Sequence, residues 1–192
     1  MFHSTSRRCF SSNAMRQRQP EYDLPNASTG ATVLCMGTTE ASYIRKLSEQ
    51  AGPGGRVIVA AQREKDLEIL AEDLWKATVS DGARIHLHRL AAGNHFQQLV
   101  ADYGRFDLIL LHNDWCTTGN CDALLPSCHD ALHPGGRTEI TLTGLFICRH
   151  RIKKLSNAAS RAGLQISHQC SDRRQYRTVL QKPYEATGKM VA

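Results

Sequence analysis

A strand–turn–helix–turn–strand pattern between residues 31 and 61 constrains the fold more than any other part of the sequence. The short apolar run at 32–36 ends on Gly37, and apolar residues then recur at helical spacing up to the glycine-rich stretch 52–55. A second apolar run follows directly. A helix between two buried strands of this length predicts a right-handed parallel crossover, and hence a parallel sheet with helices on its faces. A nucleotide-type ligand would lie at the tip of the first strand.

The alternation of strand and helix patterns continues to the end of the chain, where two strands are joined by a polar turn at 171–174. The run 106–111 is almost entirely apolar, which predicts a central strand. The run 84–90 alternates apolar residues with His86 and His88, which predicts an edge strand with solvated histidines. Pro126 predicts an interruption of the helix at 123–132, and the next strand is predicted at 138–142.

Length and composition bound the organisation of the chain. With 192 residues, of which 41% are apolar and 22% charged, the chain predicts one globular domain with a sizeable core. No apolar run approaches the roughly 20 residues that span a bilayer, so we predict no membrane span. We divide the chain into an N-terminal segment (1–25), a domain (26–182) and a C-terminal tail (183–192) without apolar periodicity.

Four stretches resemble class I S-adenosylmethionine-dependent methyltransferases. They are VLCMGTTEA at 33–41, GPGGRVI at 52–58, FDLIL at 106–110 and ALHPGGR at 131–137. The resemblance covers residues 31–182. It implies a Rossmann-like α/β fold whose seven-stranded, mostly parallel sheet has the order 3-2-1-4-5-7-6, with helices on both faces and the last strand antiparallel.

The resemblance also indicates where a cofactor would bind. If a pocket for S-adenosylmethionine persists, the positions that match the family's site are Gly37, Thr38, Gln62 and His112. The sequence departs from the family's pattern, however, at most of the positions that contact the cofactor. Thr39 and Ala41 replace two glycines, Cys35 replaces an acidic residue, and Ala61 replaces the carboxylate that accepts hydrogen bonds from the ribose.

These departures predict a chain that has lost cofactor binding. A charge-assisted hydrogen bond is worth about 1.5–3 kcal/mol, so loss of the ribose carboxylate alone would weaken binding roughly tenfold to a hundredfold. Where some methyltransferases have Asn/Asp-Pro-Pro-aromatic, this chain has Asn113-Asp114-Trp115 without the prolines. His112 and Asp114 could act as base and orienter, but nothing fixes the turn between them, so we assign no catalytic residue. Gly37, Gly54 and Gly55 would then be present because the turns of the fold need glycine.

The N-terminal segment indicates a cellular address. Residues 1–20 contain four arginines, many serines and no acidic residue, which is typical of a mitochondrial presequence. Arg8-Cys9-Phe10-Ser11 resembles the matrix-processing pattern, with cleavage after Phe10. We therefore predict the mitochondrial matrix. The alternative is a basic arm that binds nucleic acid directly.

The cysteines agree with a reducing compartment. There are seven, an odd number, with no Cys-x-x-Cys pair, so a disulfide framework is not predicted. Cys116, Cys121, Cys128 and His129 lie close in sequence, but their spacing matches no zinc template. We predict packed thiols and no metal site.

Positive charge is concentrated at the C-terminal end. Residues 145–192 carry ten basic and two acidic side chains, whereas residues 21–144 carry ten basic and sixteen acidic ones. Such asymmetry is typical of phosphate binding, although a solvated charged face is the alternative. The residues that we predict to contact the RNA phosphate backbone are Arg149, Arg151, Lys153, Lys154, Arg173, Arg174 and Arg177.

Together these features predict a pseudoenzyme without a cofactor. It would be a structural or assembly component of a large mitochondrial RNA–protein complex, and the ribosome is the complex we favour. Two other functions stay open. One is an active methyltransferase that uses S-adenosylmethionine on RNA or protein; the other is a respiratory-complex subunit or assembly factor that uses the fold as a protein scaffold.

Overall fold

The structure, a computed structural model, describes residues 26–37, 40–76, 81–90, 95–112, 115, 121–143, 149–171 and 175–184. The N-terminal segment with its predicted presequence lies outside these residues. The described helices and strands are, in chain order, β1 (Thr32–Met36), α1 (Ala41–Ala51), β2 (Arg56–Ala61), α2 (Glu64–Trp75), β3 (Arg84–Arg89), α3 (His95–Tyr103), β4 (Phe106–His112), α4 (Cys121–Ala131), β5 (Leu132–Thr143), α5 (Arg149–Arg161), β6 (Gln165–Ser171) and β7 (Gln175–Gln181).

The strands form one seven-stranded sheet in the order β3-β2-β1-β4-β5-β7-β6. Strands β1 to β5 pair in parallel, and β7 is antiparallel to both of its neighbours. The order and the antiparallel last strand confirm the prediction. Because β4 lies at the centre, its apolar residues are buried by neighbours on both faces.

Alternating side chains of the central strands divide the core between the two faces of the sheet. Val33 and Cys35 of β1 face α1 and α2, where Ile44, Leu47 and Leu70 complete one apolar cluster. The other face, which Leu34 and Met36 line, packs against α3, α4 and α5. This arrangement follows from the period of two in a strand, which sends successive side chains to opposite faces.

The turn between α1 and β2 needs glycine for two separate reasons. The helix ends at Gly52, whose φ of 66° lies in the left-handed region that favours glycine. A Cβ on Gly55 would lie 2.6 Å from the carbonyl oxygen of Ala51. The glycine-rich stretch therefore ends α1 as predicted and lets the chain turn closely into β2.

Three local predictions were wrong. Pro126 lies inside α4 without interrupting it; the partner of its missing N–H would be the carbonyl of Asp122, a solvent-exposed residue in the first turn. Strand β5 starts at Leu132 rather than 138, because Leu132 pairs with Phe106 of β4; pairing resumes at Arg137 with Leu108 after a shift in register. The histidines of β3 are not fully solvated: His86 and His88 both contact the ring of Tyr103 on α3, with ring centroids 5.6 Å apart in each pair.

The last described residues tie the sheet to a helix. Lys182 is buried, and its Nζ donates hydrogen bonds to the carbonyl oxygens of His129 (2.9 Å) and Leu132 (3.1 Å). These carbonyls lie at the C-terminal end of α4, where a cation also interacts favourably with the helix dipole. None of the described helices has the length and apolar character needed to cross a membrane.

Candidate functional site

The carboxyl ends of β1, β2 and β4 meet at one edge of the sheet, where open α/β sheets form their ligand sites. Gly37 follows β1 directly and has a φ of 105°, a conformation that favours glycine. Thr38, the next predicted contact, lies outside the described residues. Gln62 follows β2 with an exposed side chain, and His112 ends β4.

Gly37 lies in close contact with the end of β4. A Cβ at this position would lie 2.9 Å from the carbonyl oxygen of His112 and 3.1 Å from Cδ1 of Trp115. Trp115 is partly buried and packs against the core cluster on the α3, α4 and α5 face. These two contacts exclude a Cβ at position 37 and explain the glycine, which is itself exposed.

His112 is held in an apolar environment. Its side chain is buried, and the edge of its ring meets the ring of Tyr43 at a centroid distance of 5.6 Å. Nε2 has no hydrogen-bond partner among the described residues. Burial lowers the pKa of His112 from 6.5 to about 4, so the imidazole is neutral near pH 7. A buried base with such a low pKa is weak, and Asp114, its predicted partner, lies outside the described residues.

No carboxylate marks the end of β2. Ala61 is the last residue of the strand, and the first acidic residue after it is Glu64 in the first turn of α2. The Oε2 atom of Glu64 lies 2.8 Å from Nη1 of Arg89, the last residue of β3, in a solvent-exposed ion pair. This carboxylate is therefore already engaged by a cation at the adjacent strand end.

These residues do not fit S-adenosylmethionine in the way that the family resemblance implies. That mode requires a carboxylate at the end of β2, where Ala61 stands in this chain. The missing carboxylate was predicted from the sequence. The contact of Trp115 with Gly37 was not predicted, and its only signal was an aromatic residue shortly after β4.

The predicted RNA-binding residues fall into three groups: exposed residues of α5, residues whose side chains lie outside the described part of the chain, and Arg177. Arg151, Lys153 and Lys154 are exposed on α5. Arg149 begins the same helix, but its side chain lies outside the described residues, as do Arg173 and Arg174 entirely. The end of β6 and the start of β7, which precede and follow these two arginines in sequence, lie at the same edge of the sheet as the carboxyl end of β5.

Arg177 has a different environment from the rest. Its Nη2 and Nε atoms donate to Oε2 of Glu139 at 2.7 and 3.2 Å, and only 17% of its side chain is exposed. Arg137 flanks the same carboxylate, with Nε 3.5 Å from Oε1. Because this guanidinium serves a buried ion pair on the sheet, Arg177 is not disposed as the exposed phosphate contact that the sequence predicted.

A polar recess of about 810 Å³ lies over this ion pair at the opposite edge of the sheet from the β1, β2 and β4 carboxyl ends. Its wall includes Asp107, whose Oδ2 accepts a hydrogen bond from the backbone N–H of Thr32 at 2.8 Å, and Arg137, which donates to the carbonyl of Asn26. The charged groups of the recess are thus bonded within the chain.

Three of the four described cysteines lie in the core. Cys35, Cys121 and Cys128 are buried, and Cys170 is exposed. Burial raises the pKa of Cys35 to about 12 and also raises that of Cys128, so both thiols stay protonated at neutral pH. In the part of the chain that the structure describes, no three side chains of the metal-binding types come together.

The fold is that of class I S-adenosylmethionine-dependent methyltransferases. A methyltransferase of this kind from Aquifex aeolicus is 13% identical and superposes with a TM-score of 0.62 over 81% of this chain and 84% of its own. A methyltransferase from Pyrococcus furiosus is 15% identical, with a TM-score of 0.62 over 81% of this chain and 77% of its own. An arsenic(III) S-adenosylmethionine methyltransferase from Chlamydomonas reinhardtii is 13% identical, with a TM-score of 0.60 over 85% and 66% of the two chains. By sequence, the chain matches no protein-family profile and no curated protein.

Proposed function

We propose that this chain is a pseudoenzyme with a methyltransferase fold. It would not bind S-adenosylmethionine, and it would act as a structural or assembly component of a mitochondrial RNA–protein complex, with the ribosome as the complex we favour. The fold is separable from the activity, because catalysis depends on the groups at the strand ends and not on the sheet that carries them.

The missing carboxylate after β2 carries the proposed loss of cofactor binding. Ala61 ends the strand, and the first acidic residue after it, Glu64, is paired with Arg89. The ribose of the cofactor would therefore lack its charged acceptor.

Two features of the sequence support the location and the partner. The acid-free, arginine- and serine-rich N-terminus supports import into mitochondria. The basic C-terminal part supports a polyanionic partner, and Arg151 and Lys153 are exposed on α5. A mitochondrial complex rich in RNA satisfies both.

A calorimetric titration tests the loss of cofactor binding. We expect no saturable heat when S-adenosylmethionine is added at about 100 μM. The chain lacks the ribose carboxylate that contributes to the cofactor affinity of the family. Ala61→Asp restores the carboxylate but leaves Thr39 and Ala41 in place of the family's glycines, so we expect it to bind little better. Saturable binding of the unmodified chain in the low micromolar range would contradict the proposal.

The fold itself favours a second function, an active methyltransferase with a remodelled pocket. That function requires cofactor binding near His112, whose unpartnered Nε2 would then find a polar neighbour. Methyl transfer from radiolabelled S-adenosylmethionine to mitochondrial RNA or protein separates the two functions, since the pseudoenzyme transfers nothing.

A further inference from the structure

Strand β6 forms one edge of the sheet and is open to solvent along its whole length. It pairs with β7 on one side, and no described strand pairs with its other side. All of its residues, Gln165–Ser171, are exposed, including the apolar Ile166, whose exposed fraction is 41%. The backbone N–H and C=O groups that point away from β7 are therefore open to pairing with a further strand.

The two edges of the sheet differ in how they are protected. Natural edge strands avoid pairing with other chains through charged side chains, irregular geometry or a covering element. The other edge, β3, begins with Arg84 and ends with Arg89, and Tyr103 of α3 packs against its histidines. In contrast, β6 contains no Asp, Glu, Lys, Arg or Pro. Its register against β7 shifts between Ile166 and His168, so residues 168–171 form its regular stretch.

The chemistry of this stretch favours an identical strand as its partner. When two copies of one strand pair in antiparallel about a two-fold axis, like residues lie close together, so charged residues would repel their own copies. The stretch 168–171 reads His-Gln-Cys-Ser, and none of these side chains carries a fixed charge. Each backbone N–H of one copy meets a C=O of the other, because antiparallel pairing is symmetric about such an axis.

We infer that β6 pairs in antiparallel with β6 of a second copy of this chain, through the backbone of residues 168–171. The strands β5, β7 and β6 are already antiparallel, so the second copy continues the same pattern into one larger sheet. The contact is smaller than a standard interface of about 1,600 Å², so the dimer dissociates on dilution. The inference goes beyond the proposed function, because the contact needs neither RNA nor a cofactor.

Sedimentation equilibrium tests the dimer. The full chain is treated with ribonuclease and measured at concentrations between about 5 and about 200 μM, in about 50 and in about 500 mM KCl. We expect a monomer–dimer equilibrium with nearly the same dissociation constant at both salt concentrations, because salt screens charge pairs far more than backbone hydrogen bonds. An association that ribonuclease or high salt abolishes would overturn the inference.

A charged edge should prevent the pairing. His168→Lys with Cys170→Lys places two lysines on one face of β6, and the two-fold axis brings four of them together across the contact. We expect the dissociation constant to rise by roughly tenfold or more. The matched control, Gln97→Lys with Gln98→Lys, adds two lysines at exposed positions of α3 and should leave the constant unchanged. Thermal melting establishes that both variants are folded, and equal dissociation constants for the two would contradict the pairing.

Cross-linking through Cys170, which is exposed, locates the contact on the chain. Pairing centred on residue 169 or 170 brings Cys170 within about 8 Å of its copy, so a short bis-maleimide should join two chains. Cys170→Ser should abolish this product, and a cross-linked dimer that persists in the variant would assign the contact to another surface. An unmodified chain that stays monomeric at about 200 μM would also overturn the inference, and would leave the edge to a strand of another protein. None of these results depends on whether the chain binds RNA, so the proposed function is tested separately.

Discussion

At the scale of single residues, His112 shows how the end of β4 has been adapted to packing. A ligand-binding residue at a strand end is normally hydrated or bonded to its ligand. His112 is instead buried, meets Tyr43 through its ring edge, and lies with its carbonyl against Gly37. The burial of its side chain keeps the imidazole neutral.

This burial predicts a specific loss of stability in acid. The pKa of His112 is about 4 in the folded chain and 6.5 without burial. As the pH falls from 6.5 to about 4, the unfolded chain takes up the proton and the folded chain does not. His112 should therefore lower the free energy of unfolding progressively over that range, by a total of about 3 kcal/mol.

Urea denaturation at a series of pH values checks this prediction, with His112→Leu as the comparison. The variant cannot take up the proton, so its stability should fall less steeply than that of the unmodified chain below pH 6.5. Carboxylates titrate in both proteins and cancel in the difference. Parallel stability curves for the two proteins would show that His112 is hydrated in the folded chain.

The contacts of Gly37 and Arg177 mark the limit of what the sequence could predict. Gly37 was identified because a glycine after an apolar run marks a turn. Its contact with Trp115 could not be derived, since the two residues are far apart in sequence and only the folded sheet brings them together. The pairing of Arg177 with Glu139 was missed for the same reason, because it depends on the register between two strands.

At the scale of secondary-structure elements, the antiparallel pairing of β5 and β7 brings Glu139 and Arg177 together in an ion pair. The register places Glu139 opposite Val179 and Arg177 opposite Thr141, so the two charged side chains meet diagonally on one face. Glu139 is almost fully buried between Arg137 and Arg177. Removing either cation would leave a buried carboxylate with less compensation.

We therefore expect Arg177→Ala to act on stability rather than on RNA binding. Loss of a partner from a buried ion pair should lower the free energy of unfolding by about 3 kcal/mol. Arg151→Ala, at an exposed position on α5, should change it by less than about 0.5 kcal/mol. Chemical denaturation measures both values. A stable Arg177→Ala variant with a reduced salt dependence of RNA binding would restore the role that the sequence predicted.

The elements themselves were largely predictable because each signal is local. Short apolar runs, helical spacing and glycine turns identified most strands, and the family resemblance implied the sheet order, which the structure confirms. The errors arose where tertiary contacts override a local rule. Pro126 is tolerated within α4, and β5 extends back to Leu132 because β4 offers it a partner. The edge histidines of β3 pack on Tyr103, a residue of the next helix.

At the scale of the whole molecule, fold and charge are arranged independently. The sheet is that of the methyltransferases, but neither β1 nor β2 ends in an acidic residue. The exposed basic residues of α5 lie on the face of the sheet that packs against α3, α4 and α5. They belong to the basic C-terminal part of the sequence. The apolar pattern and the family resemblance could predict the fold. The placement of exposed charge also depends on how the helices pack, which the sequence alone does not determine.

We propose that the chain works as a non-catalytic part of a mitochondrial RNA–protein complex. The most direct measurement is sedimentation of the tagged protein from isolated mitochondria, at low and at high salt, with and without ribonuclease. We predict that at low salt the protein sediments with a large particle that contains RNA, and that high salt or ribonuclease releases it. Sedimentation as a free protein at low salt, or within a particle that ribonuclease leaves unchanged, would contradict the account.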